Sequence, residues 1–87
     1  MKTATSCVHH ETNEDAFGAV IPPIYQTATF RQPTALELGE YDYTRTANPT
    51  RSILERQLAA LEGGAYATAF ASGMAALTAL TRLVEAG

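Results

Sequence analysis

The stretch that decides the fold is AYATAFASGMAAL, residues 65–77. Residues 65–71 are mostly apolar and contain neither Gly nor Pro, a pattern that predicts a short buried strand. Ser72 and Gly73 interrupt this run, and from Met74 onward the apolar residues recur at helical spacing. The stretch therefore predicts a strand, a tight turn and a helix, in that order.

The turn at Ser72 and Gly73 has the composition of an anion-binding helix start. The first N–H groups of a helix have no intrahelical partner and lie at the positive end of the helix dipole, so the backbone of Gly73 and Met74 can donate to a phosphate. Gly73 also carries no side chain to block close approach. The alternative is that Ser72 is only an N-cap, worth about 1 kcal/mol without any ligand, and Gly73 only a turn residue.

A second candidate surface is the segment YDYTR, residues 41–45. In an extended segment side chains alternate, which would place Tyr43 and Arg45 on one face. A guanidinium binds phosphate bidentately, and a phenol adds one more donor. The alternative is a solvated Arg45 paired with a carboxylate such as Asp42 or Glu40.

Between these surfaces lies a segment with clear helix start and stop signals. Asn48 is the candidate N-cap, Pro49 takes the first helical position, and Gly63-Gly64 ends the helix. The apolar residues of this segment share one face: Leu54, Leu58 and Leu61, with Ile53 beside them. Its charged residues can face water: Arg51, Glu55, Arg56 and Glu62. We expect this helix to be a scaffold that fixes one surface relative to the other.

Four ordered motifs give the chain a resemblance to a known family. They are IPPIYQTATF at 21–30, YDYTR followed by NPTR at 41–51, LEGG at 61–64 and ASGMAA at 71–76. On these motifs the chain resembles the N-terminal part of the Cys/Met-metabolism family of pyridoxal-phosphate enzymes, also called the trans-sulfuration enzymes. The resemblance covers nearly the whole chain.

The resemblance implies an α/β fold, as the N-terminal fragment of an aspartate-aminotransferase-like (fold type I) enzyme. An extended N-terminal arm would be followed by a helix, a strand and a helix. Residues 1–47 would form the arm and inter-subunit segment, and residues 48–87 the truncated start of the cofactor-binding α/β domain.

The resemblance also implies a common ligand for the two surfaces. In the family, the residues matching Tyr43 and Arg45 reach into the neighbouring subunit and hold the phosphate of pyridoxal 5'-phosphate. Those matching Gly73 and Met74 hold it through backbone N–H groups in their own subunit. The family further implies a catalytic role for Tyr43 as a base or a donor near the substrate. The implied partners are a small sulfur amino acid and other copies of the full-length chain, in a tetramer built from dimers.

Residues 25–45 look closest to the plant-type cystathionine beta-lyases, which convert cystathionine to homocysteine, pyruvate and ammonia. The alternative is a cystathionine gamma-synthase or gamma-lyase, because the cofactor serves the same opening steps in all of them. In the family the cofactor-binding lysine falls well beyond residue 87, and Lys2 is the only lysine here. We therefore expect a partial chain that is catalytically inert alone. The other hypothesis is a short module that docks on a full-length relative and supplies Tyr43 and Arg45 in trans.

The remaining composition sets limits on partners and location. A net charge of −3 argues against nucleic acid or an anionic membrane as a partner, and no apolar run is long enough to span a bilayer. The start lacks the apolar stretch of a signal peptide, and the single Cys7 fits a reducing compartment, so we expect a cytoplasmic protein. The adjacent His9 and His10 point to opposite faces of an extended chain, and we expect no metal site there.

Overall fold

The computed structural model describes residues 2–8 and 15–84, and within them the chain forms three helices. Helix α1 spans Thr3–Val8, α2 spans Pro49–Glu62 and α3 spans Gly73–Thr81. Across these ranges the β pairing is limited to one isolated antiparallel bridge, between Thr29 and Tyr43. The described chain thus consists of helices joined by long irregular segments.

Helix α2 begins and ends where its sequence signals predict. The Asn48 side chain accepts a hydrogen bond from the N–H of Thr50 at 2.8 Å, and a proline occupies the first turn. At the other end Gly63 is left-handed, with φ of 67°, and the N–H of Gly64 donates to the carbonyl of Ala59 at 2.8 Å. A residue with a Cβ is strained in that conformation, so Gly63 stops the helix. The predicted helix is confirmed at both ends.

The N-terminal arm contains a helix that the sequence does not predict. Helix α1 has only 6 residues, fewer than an isolated helix needs to be stable in water. Gln57 of α2 holds it, because the Gln57 Nε2 donates to the carbonyls of Ser6 at 3.1 Å and Cys7 at 3.0 Å. Carbonyls in a last helical turn have no intrahelical partner. The prediction of a fully extended arm is wrong over residues 3–8, because a contact distant in sequence determines the local structure.

We expect the substitution Gln57→Ala to release α1 from α2. It removes two hydrogen bonds, each worth about 1 kcal/mol, and leaves a helix too short to persist. In the protein at its natural length, amide hydrogen exchange over residues 3–8 should become faster while exchange within α2 stays unchanged. Gln57→Glu is the matched control, since it keeps the length of the side chain but removes the donor. Slow exchange in Gln57→Glu would show that these hydrogen bonds do not hold α1.

Residues 15–47 contain no helix, as the prolines at positions 22, 23 and 33 predict. Ile21 and Ile24 are exposed. Phe30 is the better covered apolar residue of this arm. It is half-buried, with its ring 6.4 Å from the Tyr25 ring and 5.8 Å from the Tyr41 ring between centroids. This aromatic cluster packs the arm against the segment that leads to Tyr43.

The strand predicted over residues 65–71 does not form. No ladder pairs this segment with another described residue, and a strand is stable only beside a partner that satisfies its backbone groups. The N–H of Ala69 instead donates to the Glu55 carboxylate at 2.7 Å. Tyr66 is 85% exposed, so the segment is not buried either. Glu55, which the helical pattern allows to face water, is thus half-buried and binds this segment.

Much apolar surface is uncovered in the described part of the chain. Ala59 is the only apolar residue buried there, and Leu54 and Leu58 on the leucine face of α2 are about half exposed. Within residues 2–8 and 15–84, α3 contacts neither of the other helices. The described residues contain no β-sheet that could cover the apolar faces of α2 and α3. No helix among them is long and apolar enough to cross a membrane.

Candidate functional site

The segment that carries Tyr43 and Arg45 lies beside residues 27–30. The N–H of Thr44 donates to the carbonyl of Ala28 at 2.8 Å, and the N–H of Phe30 donates to the carbonyl of Asp42 at 2.9 Å. These two hydrogen bonds form the bridge between Thr29 and Tyr43. The backbone is therefore extended only as far as Tyr43.

Arg45 lies in a turn and not in an extended segment. The carbonyl of Tyr43 accepts hydrogen bonds from the N–H groups of Thr46 and Ala47, both at 3.0 Å, and from the Thr46 hydroxyl at 2.8 Å. The alternating side chains predicted for residues 41–45 thus stop after Tyr43. The predicted proximity nevertheless holds, since the Arg45 guanidinium carbon lies 5.4 Å from the centroid of the Tyr43 ring. A cation over an aromatic face at this distance is attracted to it.

The alternative of an Arg45 ion pair finds no support in residues 2–8 and 15–84. No carboxylate there, Asp42 and Glu40 included, forms a salt bridge with Arg45. The side chain is exposed. Its charge is therefore available to an anion, with the phenol of Tyr43 beside it.

Asn48 has a larger role than the N-cap that the sequence predicts. Its side chain is buried, with 5% exposure. While Oδ1 caps the helix, Nδ2 donates to the carbonyl of Tyr25 at 2.9 Å and to the hydroxyl of Thr44 at 3.2 Å. The Thr50 hydroxyl accepts from the N–H of Tyr25 at 2.8 Å. Asn48 and Thr50 thus bind both backbone groups of Tyr25 and join the arm, the turn and α2. An N-cap asparagine always has an unused amide donor, and that was the available signal.

Arg51 has a contact that the sequence does not predict, since the helical pattern indicates only that it can face water. In the structure it is half-buried. Its Nη2 donates to the carbonyl of Thr46 at 2.8 Å, and its Nη1 makes a longer contact of 3.5 Å with the carbonyl of Thr44. Helix α2 is therefore attached to the turn on either side of Arg45. The helical pattern alone could not predict this contact, because it reports only the face of the residue.

The other candidate surface is the start of α3, which begins at Gly73. Ser72 is its N-cap, and the Ser72 Oγ accepts from the N–H of Ala75 at 3.1 Å. The N–H groups of Gly73 and Met74 have no hydrogen-bond partner among the described residues. Apart from chain neighbours and the helix itself, no described atom lies within 4 Å of the position of a side chain at Gly73. The cap is thus confirmed, and it leaves two donors free beside open space.

Within the described ranges no hydrogen bond or ring contact joins the two surfaces, that is, Tyr43 or Arg45 to residues 72–74. Helix α2 contacts the chain near both surfaces. Its Arg51 binds the turn that carries Arg45, and its Glu55, one helical turn later, accepts a hydrogen bond from the N–H of Ala69. Each surface therefore offers donors to an anion separately.

These donor sets fit a phosphate. Two adjacent backbone N–H groups at a helix start can donate to one phosphate, and the glycine lets the phosphate come close. An arginine adds a positive charge, and a tyrosine adds a further donor. The expectation that His9 and His10 form no metal site concerns residues outside the described ranges. Both surfaces thus offer donors of the kind that binds a phosphate group.

The chain belongs to the family of Cys/Met metabolism PLP-dependent enzymes, whose family model matches residues 4–87. PLP is pyridoxal 5'-phosphate, so the cofactor of the family is a phosphate ester of the kind that the two surfaces fit. The family predicted from the four motifs is confirmed.

Three relatives show the extent of the similarity. The chloroplastic cystathionine beta-lyase of Arabidopsis thaliana is 51% identical over 84 residues, which cover 97% of this chain and 18% of the relative. The cystathionine gamma-lyase of Bacillus subtilis is 47% identical over 88 residues, covering 100% of this chain and 23% of the relative. The crystal structure of cystathionine gamma synthase from Xanthomonas oryzae pv. oryzae, in complex with aminoacrylate and cysteine, matches with a TM-score of 0.87. It is 38% identical and covers 97% of this chain and 22% of that chain.

The chain spans about a fifth of the length of these relatives. The solved relatives and the family match show a chain related to fold type I PLP-dependent enzymes. The described residues themselves contain the helices of that fold but not the sheet.

Proposed function

We propose that the protein acts as a PLP-dependent carbon–sulfur lyase of sulfur amino-acid metabolism, with cystathionine as its substrate and homocysteine, pyruvate and ammonia as products. The observation that carries the proposal is the pair of anion-binding surfaces, with two free N–H groups at Gly73 and Met74 and an uncompensated Arg45. The 51% identity to a cystathionine beta-lyase supports the choice of reaction.

In this proposal the residues of the two surfaces hold the cofactor phosphate. Gly73 and Met74 donate backbone N–H groups, Arg45 donates from its guanidinium, and Tyr43 donates its hydroxyl. Bound pyridoxal phosphate supplies an electron sink that makes loss of the substrate α-proton and cleavage of the carbon–sulfur bond accessible. Tyr43 would also move a proton near the substrate, as a base or as a donor to the leaving sulfur.

We propose that two copies build each site, since no hydrogen bond or ring contact joins the two surfaces within the described residues. Tyr43 and Arg45 of one copy would complete the phosphate site that Gly73 and Met74 begin in the other. A tetramer built from such dimers is the proposed assembly. The cytoplasm is the proposed location, on the basis of composition alone.

Lys2 is the only lysine among residues 1–87. It immediately precedes α1 and is distant in sequence from both candidate surfaces, and we propose that it does not carry the cofactor. We propose that residues 1–87 alone are inert and that activity requires residues beyond them.

A second candidate function is gamma-elimination or gamma-replacement. The 47% identity to a cystathionine gamma-lyase and the match to a cystathionine gamma synthase structure favour it as much as the first relative favours beta-elimination. In either case the two surfaces would hold the cofactor phosphate, so they do not distinguish the two reactions. A docking module without activity is the remaining alternative.

The test is product analysis of the protein at its natural length, incubated with cystathionine and pyridoxal phosphate. We expect pyruvate and homocysteine to appear together. The appearance of 2-oxobutyrate and cysteine would instead establish gamma-elimination. Absence of turnover, together with no change in the cofactor's absorbance spectrum on titration, would contradict both candidates and support the docking module.

A further inference from the structure

Arg51 contacts the backbone on both sides of Arg45. Its Nη2 donates to the carbonyl of Thr46 at 2.8 Å, and its Nη1 lies 3.5 Å from the carbonyl of Thr44. The guanidinium is a rigid planar fork, so two carbonyls that it engages must keep a fixed relation to each other. The carbonyls of Thr44 and Thr46, on either side of Arg45, are therefore held from one point on helix α2.

Further polar groups of this turn are also bound. The Thr44 N–H donates to the carbonyl of Ala28 at 2.8 Å, and the Thr44 hydroxyl donates to the carbonyl of Thr27. The carbonyl of Tyr43 accepts from the turn itself. The Arg45 guanidinium, in contrast, contacts only the Tyr43 ring among the residues that the structure describes. The turn thus has a restrained backbone and one free cationic side chain.

We propose that Arg51 is a positioning residue for anion binding by Arg45, an inference that rests on the proposed function. Arg51 does not touch the anion. It restrains the turn so that Arg45 and Tyr43 keep one orientation before the ligand arrives. A ligand that meets a restrained side chain loses less conformational entropy on binding. Affinity for the phosphate group therefore depends on the shape of the residue at position 51 as well as on its charge.

The test uses Arg51→Lys and Arg51→Ala in the protein at its natural length. Dissociation constants are measured for pyridoxal phosphate and for pyridoxal, which lacks the phosphate, together with the midpoint of thermal unfolding. We expect the dissociation constant of pyridoxal phosphate to rise about tenfold in both variants, because each loses a charged hydrogen bond that restrains the turn. The constant for pyridoxal should not change. Lysine keeps the charge, so its effect cannot come from long-range electrostatics.

Arg31→Lys is the matched control. Arg31 is exposed and makes no hydrogen bond or ion pair with any described residue. This variant should bind both ligands as the wild type does. If Arg51→Ala does not fold, Arg51→Lys decides the question.

The outcomes separate this inference from the proposed function. If the wild type binds pyridoxal phosphate, Arg45→Ala loses it and Arg51→Lys binds normally, the role of Arg51 is overturned alone. Equal weakening of both ligands, or a lowered unfolding midpoint without a phosphate-specific loss, would show a merely structural role and overturn it as well. A wild type that binds neither ligand would overturn the proposed function and this inference together.

Discussion

Asn48→Ala is expected to lower the free energy of unfolding by about 3 kcal/mol, of which the N-cap contributes about 1 kcal/mol and each of two amide hydrogen bonds about 1 kcal/mol. The side chain is 5% exposed, so water cannot replace the lost partners. The carbonyl of Tyr25 and the N–H of Thr50 would remain without them. Urea unfolding of the protein at its natural length measures this loss.

Asn48→Asp is the control that separates the two roles of Asn48. Aspartate keeps the acceptor that caps α2 but has no donor for the carbonyl of Tyr25, and it brings a negative charge towards that oxygen. We expect it to destabilise the protein at least as much as alanine does. Wild-type stability in Asn48→Asp would show that Asn48 acts only as an N-cap and that its contact with the arm is unimportant.

Arg45→Ala is expected to raise the dissociation constant of pyridoxal phosphate roughly 30-fold, equal to about 2 kcal/mol, the usual worth of a charged hydrogen bond. Arg45 is exposed, and within residues 2–8 and 15–84 it contacts only the ring of Tyr43. Its loss should therefore leave the free energy of unfolding nearly unchanged. Titration followed by the absorbance of the cofactor measures the binding, and urea unfolding measures the stability.

Two comparisons make the Arg45 result specific. Arg31→Ala removes a positive charge of the same type elsewhere in the arm and should leave binding unchanged. Pyridoxal, which has no phosphate, should bind Arg45→Ala and the wild type equally. Weakened binding of pyridoxal would contradict a phosphate-holding role, because Arg45 would then affect another part of the ligand.

The two substitutions should differ in kind. Asn48 is buried and connects three segments, so its loss is felt mainly as stability. Arg45 is exposed on a restrained turn, so its loss is felt mainly as affinity. This difference follows from burial, because an exposed polar group can replace a lost hydrogen-bond partner with water at little cost in free energy, whereas a buried one cannot.

The sequence predicts those features that depend on neighbours in the chain. Helix α2 begins after Asn48 and ends before Gly63, and α3 begins after Ser72, because side-chain caps and a left-handed glycine act within four residues. The absence of helix across residues 15–47 follows from proline in the same way. The family follows from four motifs in a fixed order, which the family match confirms.

The sequence fails where a partner distant in the chain decides. Helix α1 forms because Gln57 binds it, although it is too short to be stable alone. The apolar run at 65–71 does not form a strand, because no described strand pairs with it.

Helix α3 ends at Thr81, although the apolar spacing extends to Leu83 and Val84. The last turn is tighter, with the N–H of Leu83 donating to the carbonyl of Leu80 at 3.0 Å.

The candidate site shows the same division. The sequence by itself determined the chemistry of the donors, namely a guanidinium, a phenol and the free N–H groups of a helix start, because residue type and capping fix these. Only the tertiary structure decided that Arg45 stands on a turn and that Arg51 and Asn48 hold that turn to α2. The physical reason is that a hydrogen bond between segments depends on where both segments lie, and the periodicity of one segment carries no information about the other.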